Sequence, residues 1–311
     1  MTAGRAARLR RLTLALVLAG WTLGGVAGAG AYVHDYSTYR GYPPPRHPPG
    51  VAPGRLQTVR FHSAALGRER SYLVSLPPGY ERGAAHGRRF PVLYLLHGTS
   101  GSPRLLNRVG GVQVALDVLA GKPTGGKFLV VMVDGRDGTP RSDTEWANTR
   151  HGRYENLVLD TVRAVDARFS TVQTPEARAI GGLSEGGYGA LNIALHHLDT
   201  FSTVESWSGY FTQTATGPFR GASGAQLRAN SPASYAGGLG PRLRRAPLHV
   251  FLYWGNRDRD TTPMPGFAAG LRAAGADVTY RVYPGGHDWR LWRAQVPQML
   301  RYAGARIGAR P

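Results

Sequence analysis

From residue 55 onward, short apolar or β-branched runs alternate with segments in which apolar residues recur every three or four positions. Such runs read as strands and one-sided helices, and their alternation predicts an α/β fold. The candidate strands are Leu56–Ser63, Ser71–Leu76, Pro91–Gly98, Phe128–Gly135, Ala177–Gly182, Ser202–Gly209, His249–Gly255 and Val278–Gly286. The first two alternate like half-exposed antiparallel strands. The later ones are continuously apolar, as strands covered on both faces must be. In Arg153–Phe169, the residues Tyr154, Leu157, Val158, Val162, Val165 and Phe169 fall on one stripe, which predicts a helix with one buried side. Gly187–His197, Pro263–Ala274 and Trp289–Ala305 also read as helical. Tyr210–Ala246 is rich in Gly, Ser and Ala with weak periodicity, and is expected to form a long cap or excursion.

The first 54 residues have a different character. Arg5, Arg8, Arg10 and Arg11 precede Leu12–Ala31, a run with no charged residue. A basic segment, an apolar stretch and small residues near its end are the pattern of a signal peptide or N-terminal membrane anchor over residues 1–31. A retained segment of this length is long enough to span a bilayer. Either form predicts an extracytoplasmic protein, secreted or anchored to the membrane. Residues 32–54 follow as a linker, with six prolines in Gly41–Gly54, a density that favours extended polyproline II. The catalytic domain is expected over residues 55–305, with a tail at 306–311.

Composition narrows the chemistry. The chain of 311 residues has no cysteine, which excludes disulfides, thiolate nucleophiles and Cys-ligated metals. Its 38 basic residues exceed its 19 acidic ones by 19, and only Lys122 and Lys127 are lysines. The arginines are scattered and form no run longer than a doublet. The surplus therefore predicts loose attraction to anionic envelope material rather than a nucleic-acid site.

Gly182-Leu183-Ser184-Glu185-Gly186 fits G-x-S-x-G. In so glycine-rich a chain the pattern alone is weak, but it lies between a candidate strand and a candidate helix, where a nucleophile elbow belongs. A tight strand-to-helix turn aims the Ser184 hydroxyl into a cleft, and the helix start behind it offers N–H groups to a developing oxyanion. Serine needs a base to become nucleophilic. His287, in Tyr283-Pro284-Gly285-Gly286-His287-Asp288, follows the last candidate strand, and functional groups collect at the carboxyl ends of strands in open α/β sheets. Asp258, after His249–Gly255, occupies the matching place for the acid that orients the imidazole, with Asp260 as the alternative. The oxyanion donors are expected to be the backbone amides of Thr99, in Leu96-His97-Gly98-Thr99, and of Glu185. His97 precedes the serine and is read as a structural or substrate-side residue. Asp143, Trp146 and Asn148 form a polar, aromatic-bearing loop suited to lining a substrate cleft.

Taken together, the stretches FHSAALGRERSYLVSLPPGY, RRFPVLYLLHG, VMVDG, GGLSEGGYGALNIAL, SWSGYF and YPGGHDWRLW resemble an esterase family of the α/β-hydrolase superfamily. That family includes feruloyl and acetyl-xylan esterases, S-formylglutathione hydrolases, enterochelin-type esterases and trehalose mycolyltransferases. The resemblance runs from about Leu56 to Tyr302. It implies an α/β-hydrolase fold with a mostly parallel eight-stranded sheet and helices on both faces. It also implies Ser184 as nucleophile, His287 as base, Asp258 as acid, and Thr99 and Glu185 as oxyanion donors.

The expected activity is hydrolysis of a small-molecule, glycan or lipid ester through an acyl-enzyme, without metal or cofactor. Two other readings stay open: an acyltransferase delivering the acyl group to a sugar or lipid hydroxyl, and a non-catalytic envelope-binding protein on a hydrolase scaffold.

Overall fold

The computed structural model describes residues 38–122, 125–258 and 264–308, together with Ala29 and Val33. The apolar leader expected over Leu12–Ala31 lies outside the described residues, apart from Ala29. Residues 1–44 and 45–311 form separate compact units. In the first, a turn at Arg40–Gly41 is closed by the Tyr42 amide donating to the Tyr39 carbonyl at 3.0 Å.

All eight candidate strands form. They are β1 (Arg55–Ser63), β2 (Arg68–Leu76), β3 (Val92–Leu96), β4 (Leu129–Val133), β5 (Arg178–Leu183), β6 (Thr203–Trp207), β7 (His249–Gly255) and β8 (Asp277–Tyr283). They make one sheet in the order β1-β2-β4-β3-β5-β6-β7-β8. β2 pairs antiparallel with both β1 and β4, and every later pairing is parallel. The split follows the residue patterns. β1 alternates in burial and lies at an edge, whereas β3, β4, β5 and β6 are buried at every position.

Among the described residues, the helices of nine residues or more are α1 (Val112–Ala120), α2 (Tyr154–Arg168), α3 (Glu185–His196), α4 (Met264–Ala273) and α5 (Trp289–Ile307). Side chains alternate across a strand, so each strand feeds two cores. Val92, Tyr94 and Leu96 of β3 share a cluster with Val158 and Val162 of α2, Leu191 of α3 and Leu271 of α4. The opposite face carries α5, whose Tyr302 ring meets Phe251 of β7 edge-on at 4.9 Å. α1 packs beside α5 there. At about 25 cal/mol per Å², each fully buried Leu or Val contributes about 1.5–3 kcal/mol, so this double core dominates the stability.

The expected excursion folds into short helices, Gly224–Ala229, Pro232–Tyr235 and Gly240–Arg245. They are pinned to α3, where the Tyr188 hydroxyl donates to the Asn230 carbonyl and that of Tyr235 to Asn192 Oδ1, each at 2.7 Å. α1 went unanticipated because Gly110, Gly111 and Gly121 around it blur its period.

Candidate active site

Parallel strands place all their carboxyl ends along one edge of the sheet, and three of those ends supply the site. Ser184 follows β5 and is the N-cap of α3. Its backbone adopts φ 56° and ψ −122°, a conformation sparsely populated by residues with a side chain. Close packing holds it there. The Ser184 amide donates to the Trp207 carbonyl at 2.8 Å, and its own carbonyl accepts from Gly187 and Tyr188. The flanking glycines are required by space: a Cβ on Gly182 would lie 2.4 Å from the Gly186 carbonyl oxygen, and one on Gly186 would lie 2.2 Å from that of Leu96. The G-x-S-x-G pattern is thus the steric signature of a turn driven against β3.

His287 lies in the loop between β8 and α5. Its Nε2 is 2.8 Å from Ser184 Oγ, and its Nδ1 is 3.0 and 3.1 Å from the two carboxylate oxygens of Asp258. The Asp258 side chain is fully buried, while about a quarter of His287 is exposed. A buried carboxylate favours the tautomer with the proton on Nδ1, leaving Nε2 free to accept from the Ser184 hydroxyl. Three groups far apart in sequence thus form one hydrogen-bonded row. Asp260 lies outside the described residues.

Contacts that no sequence motif announces hold this row. The Asn256 side chain accepts from the Gly285 amide at 3.1 Å, and the Arg257 amide donates to the Gly285 carbonyl at 2.8 Å. These bonds tie the loop carrying Asp258 to the loop carrying His287. The Trp292 ring stands edge-on to the imidazole at 5.0 Å, itself fixed by its indole N–H donating to Ser208 Oγ at 3.1 Å. Asp288 caps α5 by accepting from the amides of Arg290 and Leu291, which sets the helix directly after His287.

Gly98 packs against the elbow, where a Cβ would lie 3.2 Å from Ser184 Cβ. Thr99 follows it at the surface. Among the described residues, neither the Thr99 nor the Glu185 backbone N–H finds an acceptor. Glu185 is deeply buried, and its side chain accepts from the amide and hydroxyl of Thr144 at 3.1 and 3.2 Å. Burial, reinforced by the neighbouring Glu145, pushes the Glu185 carboxyl up to about 8. Burial likewise pushes Glu145 up to about 7, against hydrogen bonds from Tyr210 and Gln213. The pair therefore retains a proton at neutral pH, which keeps full negative charge away from the serine turn.

The expected substrate-side residues fall differently. His97 is only 2% exposed. Its Nδ1 donates to the Gly98 carbonyl at 2.9 Å, and its Nε2 accepts from the Gly135 amide at 3.2 Å. Burial pushes its pKa down to about 4, so it is a neutral strut. Trp146 has no exposed surface, and its indole N–H donates to the His97 carbonyl at 3.0 Å. Of the two roles expected for His97, structural or substrate-side, the buried side chain takes the structural one, whereas the expectation that Trp146 lines a cleft is corrected, because its ring is core. Asn148 remains at the surface, with its side chain engaged by Asn156. Asp143 is mostly buried, 3.8 Å from Arg141.

The sheet order, the elbow and the aligned row define an α/β-hydrolase fold, and comparison with solved structures agrees. A ferulic acid esterase superposes with a TM-score of 0.72 at 24% identity, over 81% of this chain and 98% of that one. A ferulic acid esterase from Anaeromyces mucronatus, solved with ferulic acid, gives 0.62 at 17% identity, over 85% and 94%. The sequence profile of the family described as "Putative esterase" matches residues 63–303, and the chain belongs to that family. A Mycobacterium tuberculosis protein named an esterase is 32% identical over 158 residues, 50% of this chain and 32% of that protein. A Xylanibacter ruminicola endo-1,4-beta-xylanase/feruloyl esterase is 29% identical over 150 residues, 48% of this chain and 20% of that protein. The chain thus spans a third or less of the length of these curated relatives.

Proposed function

We propose that this chain is a serine esterase that hydrolyses carboxylic esters through an acyl-enzyme. The observation that carries the reading is the continuous hydrogen-bonded row from Ser184 Oγ through the His287 imidazole to the buried Asp258 carboxylate. In this mechanism the Ser184 oxygen attacks the ester carbonyl carbon while its proton passes to His287 Nε2. Asp258 stabilises the resulting imidazolium, and the amides of Thr99 and Glu185 receive the oxyanion. The imidazolium then protonates the leaving alcohol as the C–O bond breaks. Water, deprotonated by the same nitrogen, attacks the acyl-enzyme, releasing the acid and restoring Ser184.

Substrates of hydroxycinnamoyl type are favoured by the recurrence of feruloyl esterases among the relatives and fold neighbours. The test is turnover of p-nitrophenyl, feruloyl and acetyl-sugar esters by the wild type and Ser184→Ala. Hydrolysis of at least one ester, lost in the variant, supports the proposal; no turnover of any of them by folded wild type contradicts it.

We propose further that the protein is exported, on the strength of the four arginines and the uncharged run over Leu12–Ala31. Intact-mass measurement of protein from the culture medium and from membranes tests it. Recovery only from the cytosol would oppose it.

A further inference from the structure

At the amino ends of the strands, opposite the serine turn, a hollow of about 1120 Å³ runs beneath the central sheet. Pro91, Lys127, Ala177, Ser202 and Pro247 line it, and these residues stand just ahead of β3, β4, β5, β6 and β7. The trough therefore crosses under five adjacent parallel strands. Its walls carry Arg88, Arg89, Lys127, Arg245 and Arg306 against Glu176 and Asp199. Arg88 and Lys127 continue into an adjoining hollow of about 670 Å³ that adds Arg82 and His86. Of these cations, Arg306 is paired to Asp277 at 2.9 Å. Arg88 instead lies over the Phe90 ring, 5.0 Å from its centroid, and Arg89 donates to the Thr171 carbonyl at 3.3 Å. Neither of those contacts neutralises a positive charge.

We propose that this trough binds an extended, linear polymer bearing phosphate or carboxylate groups. Guanidinium forks set along a groove match oxyanions repeated along a chain, and low-dielectric walls focus their field. A concave trough does not fit a flat bilayer, and the exposed large hydrophobics among the described residues, Val33, Leu56 and Val282, lie outside it. Single-stranded nucleic acid is disfavoured because the lining has no Phe, Tyr or Trp on which bases would stack. Since the trough and Ser184 occupy opposite ends of β5, a bound polymer would hold the protein with its serine edge facing away. The two regions are a strand length apart, roughly 17–20 Å.

The experiment measures binding of the full chain to inorganic polyphosphate and to poly-glutamate at low salt, with anionic phosphatidylglycerol vesicles and single-stranded DNA as comparators. A trough variant combines Arg88→Ser, Arg89→Ser, Lys127→Ser and Arg245→Ser. A control variant combines Arg60→Ser, Arg104→Ser, Arg228→Ser and Arg290→Ser, four exposed arginines outside the trough. Both variants are compared at matched thermal stability. The proposal expects polyanion affinity to fall at least about tenfold in the trough variant and less than about twofold in the control. Equal losses in the two variants would mean diffuse charge attraction and overturn the site. It is likewise overturned by no binding to either polymer, or by preference for the vesicles or the DNA.

Discussion

The His287 Nε2 atom lies 2.8 Å from Ser184 Oγ although 103 residues separate them in the chain. If the proposed mechanism holds, the two side chains act as one unit, and residues that act as a unit respond to mutation non-additively. Ser184→Ala and His287→Ala are each expected to lower kcat/KM by about 10³–10⁶-fold, and the double variant to be no worse than the weaker single one. Steady-state kinetics on one ester checks it. Additive losses would mean that the two residues act independently.

Asp258 has no exposed side-chain surface, and both its carboxylate oxygens face the imidazole. Asp258→Asn keeps the shape but favours the wrong tautomer, so turnover is expected to fall about 10²–10⁴-fold. Asp260→Asn, by contrast, should leave turnover within about twofold, a difference well inside the uncertainty of such contributions. The reverse result would make Asp260 the partner of the base.

Glu185 predicts a dependence of stability on pH. Its carboxyl is raised from an ordinary 4.5 to about 8 in the fold, so between those values the folded state holds a proton that the unfolded state has lost. The stability contributed by that proton is complete below about 4.5 and is lost as pH rises through about 8. Glu185→Gln mimics the protonated acid. It should melt close to wild type at pH 5 and several degrees higher at pH 9, as measured by thermal unfolding. Equal melting temperatures at both pH values would refute the assignment.

How much of this was visible in the chain? All eight strands were legible, the first two from their alternation and the later ones because continuous apolar runs next to turn residues have few other solutions in water. Ser184, His287 and Asp258 were legible because strand ends are marked by glycine-bearing turns. The Glu145–Tyr210 bond was not, since it joins positions 65 apart without a periodic pattern. Trp146 misled for a local reason. Its polar neighbours suggest a surface loop, but positive φ values at both Glu145 and Trp146 fold the chain back and drive the indole inward.

That burial yields its own prediction. Trp146 packs against Gly135 and Gly189, where a Cβ would meet its atoms at 2.4 and 2.5 Å. Trp146→Ala is expected to cost about 3–5 kcal/mol in chemical denaturation. Trp146→Phe should cost less and leave KM within about twofold, because a side chain with no exposed surface offers a substrate no contact. A large rise in KM at unchanged stability would restore it as a substrate contact.

Covalent capture is the sharpest test of whether Ser184 is a nucleophile activated by His287. Wild-type protein incubated with a fluorophosphonate should gain one phosphonyl adduct by intact mass, mapped to the peptide containing Ser184. The adduct should be absent in Ser184→Ala and form far more slowly in His287→Ala. Folded wild-type protein that stays unmodified, or labelling that persists in Ser184→Ala, would rule out Ser184 as the nucleophile.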